Sequence, residues 1–370
     1  MDTPTIDPGG SLIVVNSDDR ASLVGGALVA LAIVVLTLVS VSRIHVAPNS
    51  HPAAGFSPAK SLIDRQLLQG DGQAYAELAR DPTLARPQWF NTGAPEAAYR
   101  AQRPLLGYLA WAGSAGQPGA VGWVLLLINL IAGAAVALAW SRLARLRGGP
   151  WWIGPLVLLA PGSVSALTWS TSEVLGLALV GWALWVWLTR PRTVAAPALL
   201  LASASLTRET FLLVPAALVV GLLVRGSARS QWQRTLGLLL SPVPWLAWVV
   251  VVRLRLGVWS FKASDGRLGT PLSGLVSAAQ HWHVADWTCF ALLVAATGFG
   301  LLRVATDMRW VVGFQVLLGL VMGEQVWARW QDFSRVLLPI YAIGLVGVAA
   351  TTATSAGSTL RTPVVSPPIG

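Results

Sequence analysis

Apolar residues in this chain fall into long runs separated by short polar or arginine-bearing breaks, with one long polar interval, Gly70 to Leu106, early in the sequence. A helical run of about 20 apolar residues matches the ~30 Å hydrocarbon core of a bilayer. The pattern predicts such helices near 22–42, 119–141, 151–167, 173–188, 194–206, 210–224, 235–252, 287–302, 310–326 and 336–354. The expected fold class is therefore all-α: a polytopic transmembrane bundle of about ten helices, with a long first external loop over 43–118 that contains short helices. The run at 194–206 has only ~13 clean apolar residues, fewer than the roughly 17 usually needed, so it is expected to tilt or to form a partial hairpin with the next. Residues 1–21 are polar and acidic, and the run that follows is longer than the ~7–15 residues of a signal h-region. It reads as an uncleaved first span behind a cytoplasmic N-terminal segment. The transmembrane domain is expected over 22–354, and the Ser-, Thr- and Pro-rich tail at 355–370 is expected to be disordered.

Composition narrows the class. Hydrophobic residues make up 54% and charged ones only 11%, where a soluble domain carries about 25% charged. The net charge of +10 would suggest nucleic acid in a soluble protein. Here it reflects arginine at the membrane face, and no nucleic-acid partner is expected. The breaks at 142–149, 189–193, 225–234 and 303–309 hold ten arginines against one acid, Asp307. With ten spans they share one side, which the positive-inside rule makes cytoplasmic together with both termini. Eleven of the 16 acids then lie at or near the outer face. Arg253 and Arg255 oppose the rule there. The expected location is the plasma membrane, multi-pass, with membrane lipid as a partner and the chemistry outside. The lone Cys289 allows no intrachain disulfide, and the four histidines show no metal-ligand spacing beyond His281-Trp-His283.

Candidate chemistry concentrates in the polar interval. Asp71 opens a predicted short helix with Ala74, Tyr75, Leu78 and Ala79 on one face and Asp81-Pro82 as its stop. As an N-cap it would accept backbone N–H bonds and stay ionised, and a fixed carboxylate suits a general base for an acceptor hydroxyl. Glu77 and Asp81 face away and are expected to be solvated. Arg100 and Arg103 share a face if 96–103 is helical, and could fork a phosphate; the plain alternative is an ion pair of Arg100 with Glu96. Arg208, between apolar segments, either pairs with Glu209 as a hairpin tip or reaches a phosphate with Glu209 orienting it. Glu173 reads as a helix-start acid, with function as the alternative. Residues 327–335, with Asp332 and Arg335, form a second charged segment at the same face, or an interfacial belt of tryptophan and snorkelling arginine. Trp89, Trp169, Trp282 and Trp330 are candidates to stack on a sugar.

Asp71-Gly-x-x-Tyr75 after a first span, then Tyr99-Arg100-x-x-Arg103-Pro104, Thr207-Arg208-Glu209 and Asp332-x-x-Arg335, resemble in layout the GT-C superfamily of membrane glycosyltransferases. The resemblance implies a polyprenyl-phosphate sugar as donor, a glycan, lipid or protein acceptor, and transfer outside the membrane. It makes Asp71 the catalytic acid of the first loop and Arg100, Arg103 and Arg208 the donor-phosphate arginines. Tyr75, Glu173, Glu209, Asp332 and Arg335 are then supporting residues. The chain departs from the family in lacking a paired acid at the loop start and a large soluble C-terminal domain, so use of a divalent metal (Mg or Mn) stays open. The readings kept beside it are a transporter or lipid flippase, and a non-catalytic membrane assembly protein.

Overall fold

Backbone amides find no partner in hydrocarbon, so a chain this apolar satisfies them within helices. The structure, a computed structural model, describes residues 16–43, 61–67, 71–85, 93–264 and 266–358. Among these residues it is all-helical, with no strand and one isolated bridge between Leu268 and Met322. A long helix α1 (Ser17–Arg43) is followed by four short ones in the polar interval: α2 (Leu62–Leu67), α3 (Gly72–Arg80), α4 (Gly93–Ala101) and α5 (Pro104–Gly113). Then come α6 (Val121–Arg145), α7 (Ile153–Val157), α8 (Pro161–Thr168), α9 (Glu173–Thr189), α10 (Ala195–Thr207), a 3-10 turn at Glu209–Leu212 and α11 (Leu213–Val224). The remainder is α12 (Trp232–Leu240), α13 (Val243–Leu256), α14 (Ser273–Ala279), α15 (Val284–Arg303), α16 (Thr306–Val321), α17 (Glu324–Trp327), α18 (Trp330–Val336) and α19 (Leu338–Ser358). The last helix runs past 354, into the segment expected to be disordered; the rest of that segment lies outside the described residues.

Four stretches are long and apolar enough to cross a membrane: Ser17–Arg43, Val121–Arg145, Trp232–Leu256 and Val284–Arg303. A fifth results if α18 and α19, bent by 71°, are one broken span. The other predicted segments are shorter or interrupted. Pro161 starts α8 after a break behind α7, and α10 has 13 residues.

The arginine-bearing breaks meet at one end of the bundle. There Asp19 of α1 holds Arg142 at 2.7 Å and also Arg145. Arg147 reaches the Arg303 carbonyl at 3.1 Å, and Asp307 takes Arg225 at 2.5 Å and the Trp187 indole at 2.8 Å. Between the ends, α1 lies against α6 so closely that a Cβ on Gly26 would sit 2.3 Å from that of Ala137. Small residues permit this approach where lipid supplies no hydrophobic drive to association.

Candidate functional site

At the opposite end the starts of α3 and α9, the α4–α5 break, the α10–α11 junction and α18 converge. Gly72 explains how α3 gets there: a Cβ at this position would lie 2.4 Å from the Trp169 carbonyl, so glycine lets α3 abut the end of α8. The apolar face of α3 buries Ala74, Tyr75, Leu78 and Ala79 as the periodicity predicts. Tyr75 donates to Ser172 Oγ at 2.7 Å, and Ser172 donates to the Thr207 carbonyl at 2.7 Å, fixing α3 to α9 and α10.

Asp71 stands at the N-cap position, but the expected cap bond is not made. Its carboxylate turns instead to two guanidinia, Arg335 Nη1 at 3.0 Å and Arg100 Nη1 at 3.5 Å. Burial alone would raise its pKa, but the positive charges of Arg335, Arg100 and Arg103 outweigh this and hold the carboxyl well below the usual carboxylate range. Asp71 is ionised, as expected, through arginine rather than through helix N–H groups.

Glu77 and Asp81 are buried, contrary to expectation. Asp81 accepts from Thr83 Oγ1 and the Ala85 amide, both at 3.1 Å, which closes the turn after Pro82. Glu77 accepts from Gln73 Nε2 at 2.8 Å, and burial pushes its pKa up to about 7. Raised above its ordinary value, Glu77 binds more protons in the folded than in the unfolded chain between roughly pH 4.5 and 7, so stability falls as pH rises through that window. Glu77→Gln removes the slope: its melting temperature should match the wild type near pH 4.5 and exceed it at pH 8. A constant difference across that range in thermal-shift measurements would contradict the assignment.

Arg100 and Arg103 do not share a helical face, because α4 ends at Ala101 and α5 starts at Pro104. Arg100 makes the Glu96 pair of the plainer reading at 2.9 Å as well as reaching Asp71. Arg103 forks Glu209 at 2.8 and 2.6 Å, stacks on Tyr99 at 4.5 Å and donates to its hydroxyl. Arg208 and Glu209 are not partners of each other: Arg208 pairs with Glu173, which opens α9 as the helix-start reading expects and is buried there. The extended backbone at Arg208 points consecutive side chains to opposite sides, which the sequence did not disclose.

Arg335 is the hub. Given only a supporting role by its motif, it holds Asp332 at 2.7 Å, Asp71 at 3.0 Å and Glu173 at 3.6 Å, and lies 4.4 Å over the Trp169 ring. Trp169 is thus occupied by a guanidinium, Trp282 is buried among Trp287, Phe290, Trp327 and Phe333, and Trp89 lies outside the described residues.

These residues border a cavity of about 530 Å³. Its lining combines the charged Asp71, Arg100, Arg103, Arg208, Asp332 and Arg335 with the apolar Leu213, Trp245, Leu318, Met322 and Val336. Reading by motif missed two of its walls. Arg267, on the connection between α13 and α14, lies 3.5 Å over the Tyr99 ring and bonds Glu96 at 3.0 Å, and Trp245 comes from α13. Neither belongs to a local motif; a lone arginine between Pro-, Gly- and Ser-rich flanks was the only trace of the first. The carboxylates Asp71, Glu96, Glu209 and Asp332 are each held by arginine, and among the described residues no group of three His, Cys, Asp or Glu gathers. Comparison with protein families, curated proteins and solved structures gave no match to this chain.

Proposed function

We propose that this chain is a membrane glycosyltransferase that moves a sugar from a polyprenyl-phosphate donor to an acceptor hydroxyl. The observation that carries the reading is a carboxylate, Asp71, set among guanidinia on the wall of a cavity lined by both charged and apolar residues. The charged residues suit a phosphate and the apolar ones the first isoprene units. In the reaction the acceptor oxygen attacks the anomeric carbon as its proton passes to Asp71. The bond from that carbon to the phosphate oxygen breaks, and the phosphate leaves with the electron pair against arginine. The arginine ring makes resting Asp71 a weak base. A phosphate that shares those guanidinia would restore its basicity, so proton transfer would await the donor.

In the same reading the chain crosses the membrane ten times, with short or broken helices completing the crossings. The arginine-rich end is cytoplasmic with both termini, and the cavity opens outside. Support comes from the meeting of the arginine breaks at the end opposite the cavity. In a Cys289→Ala chain, a single cysteine at Ser61 should label from outside intact cells and one at Ser227 should not, while cells lacking the protein should accumulate polyprenyl-phosphate sugar. Outside labelling at 227 would overturn the orientation, and an unchanged lipid-sugar pool the donor class.

A further inference from the structure

The cavity has a rim, formed by the end of α13 and a second 3-10 turn, Ser260–Ser264. The end of α13 is fixed to the loop helices: Trp248 donates to the Ala101 carbonyl at 2.7 Å, and Val252 and Leu256 share a buried cluster with Leu78, Leu84 and Ala98. On this base Arg253 lies 5.8 Å from the centre of the Trp259 ring. Trp259 and Phe261 stack with centroids 5.5 Å apart and planes 16° from parallel. Phe261 borders the cavity and is 61% exposed, and Lys262 beside it is exposed. The cavity arginines Arg100, Arg103, Arg208, Arg267 and Arg335 each hold a carboxylate, whereas among the described residues none of Arg253, Arg255 and Lys262 does. Arg253 and Arg255 are also the two arginines that oppose the positive-inside rule in the proposed topology, where cations beside a translocated helix end are disfavoured.

We infer that this strip, from Arg253 through Trp259 and Phe261 to the cavity, with Lys262 at its side, docks the acceptor, and that the acceptor is an acidic glycan. The assignment rests on the transferase reading above and adds the class of acceptor to it. A sugar ring presents an apolar C–H face, which an exposed aromatic face covers, and its negative groups meet cations that no carboxylate of the described residues neutralises. Neither half suffices alone: a bare anion gains nothing from Phe261, and a neutral glycan gains nothing from Arg253 and Lys262. Membrane headgroups would meet the arginines at the end of α13 but leave the Phe261 ring at the cavity without a role.

The test is binding of labelled hexagalacturonate, mannopentaose phosphate and neutral maltohexaose to the full chain in phosphatidylcholine nanodiscs. At least one acidic glycan should bind roughly tenfold or more tightly than maltohexaose, and lose affinity as salt is raised. Phe261→Ala should weaken it by roughly fivefold or more, and Arg253→Gln or Lys262→Gln by about threefold, with melting temperatures near that of the wild type. Arg229→Gln, which removes the same charge from the arginine-rich end, should change it by less than about 1.5-fold. Equal weakening by Arg229→Gln would trace the attraction to overall charge, and equal binding of maltohexaose would make the acceptor neutral. Either overturns the proposal, as does binding of neither acidic glycan. If Arg253→Gln and Lys262→Gln abolish a rise in melting temperature on adding phosphatidylglycerol while glycan binding is unchanged, the cations serve membrane headgroups and the strip falls. Transfer from a polyprenyl-phosphate sugar without binding of either acidic glycan removes the strip and leaves the transferase. Binding of an acidic glycan that depends on Phe261, with no transfer, leaves a glycan-binding surface and removes the transferase.

Discussion

Arg335→Gln is expected to destabilise the chain by about 3 kcal/mol and to abolish transfer. Arg335 is buried at the meeting of three carboxylates, and removing one partner of a buried ion pair costs ~3–5 kcal/mol because the remaining charge stays in low dielectric. The lower end applies because Asp71 and Asp332 border the cavity with 37% and 33% of their side chains exposed, and Glu173 retains Arg208. Arg335→Lys keeps the charge but cannot fork between Asp332 and Asp71 or stack flat on Trp169, so it should fold better than the glutamine variant yet transfer poorly. Unfolding in mixed micelles reads the first effect and product formation the second. A glutamine variant as stable as the wild type would mean that Arg335 is not the tie between α3, α9 and α18.

Asp71→Asn is expected to lower the transfer rate by ~10²–10⁴, the usual cost of losing a general base. The amide fills the same space, and since Asp71 makes no side-chain cap bond, no cap is lost from α3. The pH profile adds a separate check. Arginine holds the carboxyl well below its ordinary range, so in the unliganded protein Asp71 loses its charge only in strong acid. The profile of kcat/KM should therefore show no acid limb from Asp71 between about pH 4.5 and 7. Any limb in that window belongs to another group, and Glu77, with its pKa near 7, is the one to test first.

Helix positions were largely legible because hydropathy is a local property: α1, α6 and α15 fall where the apolar runs lie. Lengths were less so. A run such as 151–167 reads as one segment until Pro155 and Pro161 limit it to the five-residue α7 and the eight-residue α8. The site was legible as a set of residues and not as a set of pairs. Asp71, Arg100, Arg103, Arg208, Glu209, Asp332 and Arg335 do converge on one cavity. Neighbours in sequence nevertheless took distant partners, Arg208 with Glu173 and Glu209 with Arg103, because an extended backbone at one residue turns adjacent side chains apart. Burial of Glu77 was hidden for a related reason: the polar face of α3 meets other loop helices, which a single helical wheel does not reveal. Arg267 and Trp245 reach the cavity only through tertiary placement.

Transfer from a radiolabelled polyprenyl-phosphate sugar in proteoliposomes, compared between the wild type and folded Asp71→Asn, measures the proposed reaction directly. Wild-type protein should release polyprenyl phosphate and pass the label to a membrane-derived acceptor, and the Asp71→Asn chain should do so at least ~100-fold more slowly. Near-equal transfer by the two would remove Asp71 as the base, and no transfer by the wild type from any polyprenyl-phosphate sugar supplied with that acceptor would contradict the proposed function.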